Sequence, residues 1–132
     1  MLRQFYFLLF SLFFQSVNAQ NVIKATVISV PLSITTAFAI SCQIFDDSFD
    51  KKKVSNVKKV DAKNLYTLFR KSKIPQQERK HIDVRGKIML YFDNKTSRKI
   101  CFDELGIFLY EKGFLENRPL LEYLIEHKLV ER

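Results

Sequence analysis

An α+β domain built on an antiparallel sheet is the fold that this sequence predicts, and three patterns predict it. Ile82 to Asp103 alternates apolar and polar side chains with the period of a half-buried strand pair. Val22 to Ser41 carries a second alternation of the same kind. Around Leu65 and again around Leu120 the apolar spacing changes to three and four, which gathers those residues on one stripe of a helix. Together they give a sheet of N-terminal strands plus a C-terminal three-strand meander, packed with two to three helices.

Met1 to Ala19 stands apart from that domain. It has one charge, Arg3, then an apolar run from Phe5 to Phe14 and a polar exit ending Val17-Asn18-Ala19. The run falls well short of the ~20 residues a spanning helix needs. Small residues at the last and third-last positions fit a signal-peptidase site, so the segment reads as a signal peptide cleaved between Ala19 and Gln20. No Cys follows that point directly, so a lipid anchor is not indicated, and no later stretch is long and apolar enough to span a bilayer. Residues 20–132 are then a single exported α+β domain, periplasmic or extracellular. Losing Arg3 lowers the formal charge only from +8 to +7. Such a balance favours anionic contacts, an acidic protein or an anionic envelope polymer. Nucleic acid fits poorly, because the basic residues are spread along the chain and not massed on one helix.

In chain order, Val22 to Val30 is a first strand, and Pro31, which cannot donate to a ladder, divides it from a second strand. In that second strand Leu32, Ile34, Phe38 and Ile40 share one side, with Thr36 interrupting them. Cys42, Phe45 and Phe49 then follow at helical spacing, with Ser41 as N-cap, so a short helix is expected from Cys42 to Phe49. Lys51 to Val60 is the densest charge run and reads as a solvated loop entering a short strand whose lysines protect an exposed edge, in preference to a basic ligand site. Asp61 is the expected N-cap of a helix from Ala62 to Lys71 with Leu65, Leu68 and Phe69 as its stripe, and Pro75 lies beyond its end. After the hairpin, Gly106 makes a turn at positive φ, Ile107 to Glu111 forms a third meander strand, and Gly113 closes it. Asn117 caps a last helix, with Pro119 in its first turn and Leu120, Leu121, Leu124 and Ile125 facing inward.

The hairpin is the most regular stretch. Val84, Gly86, Ile88, Leu90 and Phe92 share a dry face; Arg85, Lys87, Met89 and Tyr91 share a wet one. A turn of two residues at Asn94-Lys95 would send Ile100 to the wet side, whereas a loop of residues 93 to 95 pairs Ile88 with Ile100 and Gly86 with Phe102 and sets Arg85 opposite Asp103. Arg85, Lys87, Met89, Tyr91 and Lys99 then combine cation, aromatic and thioether groups on one surface, residue types that interfaces favour, with Lys chiefly serving association rate. A plain solvent face is the competing account of the same residues.

Signals for chemistry are sparse. His81 and His127 lie at no metal-ligand spacing from Cys or from each other, no glycine run cradles phosphate, and no cofactor is implied. Asp46, Asp47 and Asp50 alternate with Phe45 and Phe49 and lack the order of a calcium loop, so they read as a solvated helix face. Asn94-Lys95-Thr96 matches a glycosylation acceptor at the hairpin tip, relevant only to a eukaryotic chain. Cys101 with His81 can be written as a nucleophile pair but has no local signature. Cys42 and Cys101 either form one bridge, worth about 4 kcal/mol on chain entropy for a loop of this length, or remain unpaired and partly buried. The bridge requires Cys42 to reach the face opposite Ile100 and Phe102.

A hairpin beginning Ile82-Asp83-Val84-Arg85, a Cys-Phe-x-x-x-Gly turn (Cys101, Phe102, Gly106) and a Ser-Cys-x-x-Phe-x-x-x-Phe segment (Ser41, Cys42, Phe45, Phe49) resemble small exported bacterial proteins without assigned activity. The resemblance implies a bacterial envelope address and paired cysteines, and it carries over no catalytic residue. Two functional classes follow from the whole reading: a non-enzymatic binding module of inhibitor, immunity or envelope-interaction type, or a small secreted hydrolase or thiol-dependent enzyme. An enzyme needs polar groups converging in a pocket and a binder needs an exposed face; the sequence offers the face.

Overall fold

β-Branched residues at every few positions of Val22–Ser29 favour an extended chain, and this segment forms β1, with Ala25 and Val27 buried on one side and Thr26 and Ile28 half-buried on the other. The computed structural model describes residues 20–132; the expected signal peptide, Met1 to Ala19, lies outside the described residues. Five further strands follow: β2 (Lys53–Val57), β3 (Gly86–Phe92), β4 (Ser97–Phe102), β5 (Ile107–Tyr110) and β6 (Gly113–Glu116). All pairings are antiparallel, and the sheet runs β2-β1-β3-β4-β5-β6. Three helices accompany it: α1 (Phe45–Ser48), α2 (Lys59–Phe69) and α3 (Arg118–Glu126). The α+β class and the C-terminal meander are as expected, and the meander gains a fourth strand because Gly113 opens β6 instead of ending the fold's strands.

The hairpin register is the expected one. Ile88 faces Ile100 and Gly86 faces Phe102. Phe92 N–H donates to the Thr96 carbonyl at 2.9 Å, leaving residues 93 to 95 as the loop, and Lys95 takes its positive φ of 65°. A side chain at Gly86 would overlap the Phe102 ring, so glycine is required there by close approach.

On one side of the sheet Ala25, Val27, Ile88, Leu90, Phe92, Ile100, Phe102 and Phe108 pack against Leu65 and Phe69 of α2 and Leu120, Leu121 and Leu124 of α3. Edge-on ring pairs, Tyr66 with Phe92 at 5.5 Å and Phe69 with Tyr110 at 5.4 Å, fix α2 over the strands. Asn117, buried, ties the two helices together. Its Oδ1 accepts from Leu120 N–H at 3.0 Å as the expected N-cap, while its Nδ2 donates to the Leu68 carbonyl at 2.7 Å and Ser72 Oγ at 2.9 Å.

Four expectations are corrected. Leu32 to Ser41 is not a strand: both edges of β1 are already taken by β2 and β3, so the segment crosses the sheet end as a loop that buries Leu32 and Ile40 and exposes Ile34 and Phe38. The helix expected from Cys42 shrinks to Phe45–Ser48, because Ile44 N–H turns back onto the Ser41 carbonyl. The helix expected from Ala62 starts at Lys59, with Asp61 inside its first turn and Ala62 N–H bonded to the Lys58 carbonyl at 2.8 Å, and it ends at Phe69. Arg85 and Asp103 do not pair across the hairpin; each turns to a local partner, described next.

Candidate functional site

Alternation along β1, β3 and β4 sets three rows of side chains on the sheet face away from α2 and α3. The register gives Lys24, Tyr91 and Ser97 in one row, Thr26, Met89 and Lys99 in the next, and Ile28, Lys87 and Cys101 in the third, which Leu109 and Phe114 continue. The face was expected to be wet throughout. Its third row is instead roofed by the segment around α1, and a second core forms there from Val30, Ile40, Phe45, Ile82, Val84, Cys101 and Ile107. Val84 therefore packs in this second core and not with Ile88 and Leu90.

Two contacts hold the roof to the sheet, and the Lys52 ammonium braces it from within. Cys42 and Cys101 are bonded as a disulfide with Cα atoms 5.9 Å apart, so Cys42 does reach the required face. Lys87 Nζ lies 2.7 Å from both Asp46 carboxylate oxygens, and this bond holds the Asp46 carboxyl below the ordinary aspartate range. Lys52 Nζ donates to the carbonyls of Asp46 and Phe49, at 2.6 and 2.9 Å.

Of the five residues expected on one binding surface, the structure brings three together. Met89 and Tyr91 are half-buried and Lys99 is exposed on the open two rows. Lys87 belongs to the roofed row and is engaged by Asp46. Arg85 is turned inward, with 4% of its surface exposed. Its guanidinium donates to both carboxylate oxygens of Asp83 at 2.8 Å, to the Val84 carbonyl at 3.0 Å and to Thr36 Oγ1 at 3.4 Å, while its Nε has no partner among the described residues. The backbone leaves the strand pattern just before Gly86, so counting by twos misplaces both Val84 and Arg85.

Lys24 was not singled out by periodicity and belongs to the site: its Nζ sits 4.8 Å from the Tyr91 ring centre. A register shift between Val22 and Lys24 breaks the period that would have revealed it. Beside Lys99 the face falls into a groove of about 440 Å³ bordered by Gln43, Arg98, Tyr110 and Glu111. Arg98 is already engaged there, hydrogen-bonded to the Tyr110 hydroxyl and 4.0 Å from Glu111.

The remaining polar groups serve the fold. Asp103, buried, accepts Leu105 and Ile107 N–H at 2.9 Å and so builds the β4–β5 turn; burial raises its carboxyl above the ordinary range against the pull of those bonds. Cys101 is bonded to Cys42, so it is no thiol partner for His81. His127 stacks on Tyr123 with ring centres 3.9 Å apart. Among the described residues no three His, Cys, Asp or Glu side chains converge as a metal ion requires, and no helix is long and apolar enough to cross a membrane. No protein-family model, curated protein or solved structure matches the chain.

Proposed function

We propose that this chain is an exported, non-enzymatic binding module that takes an acidic protein or an anionic envelope polymer on the open half of its sheet. One observation carries the reading: Lys24 and Lys99 flank Tyr91 and Met89 on a solvent-facing surface with no carboxylate partner among the described residues, whereas Lys53, Arg85, Lys87, Arg98 and Arg132 each have one. Cations left without counterions on an aromatic floor attract anions and desolvate them at little conformational cost, since Tyr has few rotamers to lose. The disulfide supports an oxidising compartment, in line with the signal peptide read in Met1 to Ala19 and with the envelope address that the resemblance implies. A thiol-dependent enzyme would need a free cysteine, and a hydrolase would need convergent catalytic groups; the groove beside Lys99 has its arginine and glutamate committed to one another.

Capture from native envelope extract at low salt tests the reading, with the mature chain and a Lys24→Glu/Lys99→Glu variant compared side by side. Partner retained by the mature chain, lost by the variant and eluted by raised salt is the expected result. Equal retention by both forms, or no retention, overturns it.

A further inference from the structure

The sheet stops at β2, and its outer side is a different surface from the open face. β6, at the other end, is partly closed by Lys73, whose backbone bridges to Glu116. β2 is bonded inward only: apart from its pairing with β1, no hydrogen bond among the described residues reaches the backbone of Lys53 to Val57. An antiparallel strand bonded on one side points alternate N–H and C=O groups outward, so β2 presents an unpaired donor and acceptor row to solvent.

Edge strands are commonly guarded by a bulge, a proline or a lysine laid along the edge. β2 pairs with β1 in register from Lys53 to Val57 without a shift, and it contains no proline. Its nearest lysines are turned back onto their own chain: Lys53 Nζ donates to the Lys128 carbonyl at 2.6 Å and lies 3.8 Å from Glu131, and Lys52 Nζ is held by the carbonyls of Asp46 and Phe49. Val54 and Asn56 stand exposed between them and the next cations. Lys51 on one side, and Lys58 and Lys59 on the other, are exposed and without a carboxylate partner among the described residues.

From this arrangement we infer that the outer edge of β2 is a strand-addition site for an extended acidic segment of a partner protein, which would extend the six-stranded sheet by one strand. Main-chain bonds supply the pairing, and the free lysines at both ends of the strand select carboxylates flanking a β-branched middle. A second copy of the chain is the wrong occupant: antiparallel edge pairing sets Lys51 of one copy against Lys58 and Lys59 of the other, and like charges directly opposite destabilise a strand pair. The inference stands on β2 alone and does not need the open face, since Lys24 and Lys99 lie on other strands.

The probe is a blocked synthetic peptide with Val and Thr alternating in its middle and Glu at both ends. Binding to the disulfide-intact mature chain is followed by fluorescence anisotropy, and hydrogen exchange locates it. Saturable binding with slowed exchange confined to the β2 amides is expected. The same peptide N-methylated along its middle, which keeps every charge but cannot join a ladder, should lose binding, and so should a peptide with Lys in place of Glu. Lys51→Glu/Lys58→Glu/Lys59→Glu should weaken binding by about tenfold or more; should that variant melt early, raised salt on the unaltered chain gives the same reading. The Lys24→Glu/Lys99→Glu variant should bind this peptide normally, which separates the edge from the face. Equal binding of the N-methylated peptide, protection at the open face instead of β2, or self-association with protected β2 amides would overturn the inference.

Discussion

Arg85 and Asp103 illustrate how a charged residue in a strand pattern can belong to the interior. Asp83 is Arg85's charge partner, and Arg85 is buried while Asp83 stays partly open to water. Asp83→Ala therefore leaves a buried guanidinium uncompensated, and chemical denaturation should register a loss of about 3–5 kcal/mol, against near-neutrality for removal of the exposed pair partner Glu122. Asp103 behaves oppositely to an ion-paired acid. Its folded carboxyl is raised, so between the unfolded and folded values the native chain keeps a proton that the unfolded chain has released, and stability falls as pH rises through that interval. Asp103→Asn keeps an oxygen for Leu105 and Ile107 N–H and abolishes that fall, so its melting temperature at neutral pH should match or exceed the parent's. Asp103→Ala strands both donors and should cost about 1–3 kcal/mol. Asp46, held low by Lys87, has the reverse sign: its contribution is present above the unfolded value and is lost as pH falls through the folded one. Carboxyl NMR titration should place Asp103 above and Asp46 below the ordinary 3.8.

At the scale of elements, the hairpin and the last helix were the most legible, because each is specified by neighbours in sequence. Ile88 with Ile100, the loop at 93 to 95, Gly106 at φ 87° and the Asn117 cap all follow from local pattern and turn chemistry. Ile88→Asp buries an unpaired charge and should cost several kcal/mol (about 3 or more), whereas Lys87→Asp exchanges one partly exposed ion pair for a like-charge contact with Asp46 and should cost less, about 1–2 kcal/mol; thermal melts would rank them. Asn117 separates two roles that its sequence position merges. Asn117→Asp preserves the bond from Leu120 N–H and loses the donations to the Leu68 carbonyl of α2 and to Ser72 just beyond it, so it should lie between the parent and Asn117→Ala, which also loses the cap worth about 1 kcal/mol. The strand expected from Leu32 and the helix expected from Cys42 failed for the complementary reason: their residues have the right period, but their backbone groups bond elsewhere, Leu32 N–H to the distant Glu131 carbonyl and Ile44 N–H back onto the Ser41 carbonyl.

For the molecule as a whole, the disulfide decides how much of the sheet is open. Reduction, or Cys42→Ala/Cys101→Ala, should cost about 4 kcal/mol on loop-closure grounds, and it should loosen the roof preferentially: amides of residues 41–50 should exchange faster while those of β3 and the helix-covered core stay protected. Uniform acceleration across both cores would mean that the roof and the sheet open as one unit. The sequence by itself determined the α+β class, the hairpin register, the helix stripe around Leu65, the capped last helix and the basic charge, because each depends on side-chain period, turn residues or simple addition. Tertiary structure alone decided that Cys42 crosses to Cys101, that Asp46 engages Lys87, that Arg85 turns inward and that Lys24 joins Tyr91. Those outcomes bring together residues far apart in the chain or hinge on a break in period, and a repeat of two or of three and four carries no information about which loop folds back over which face.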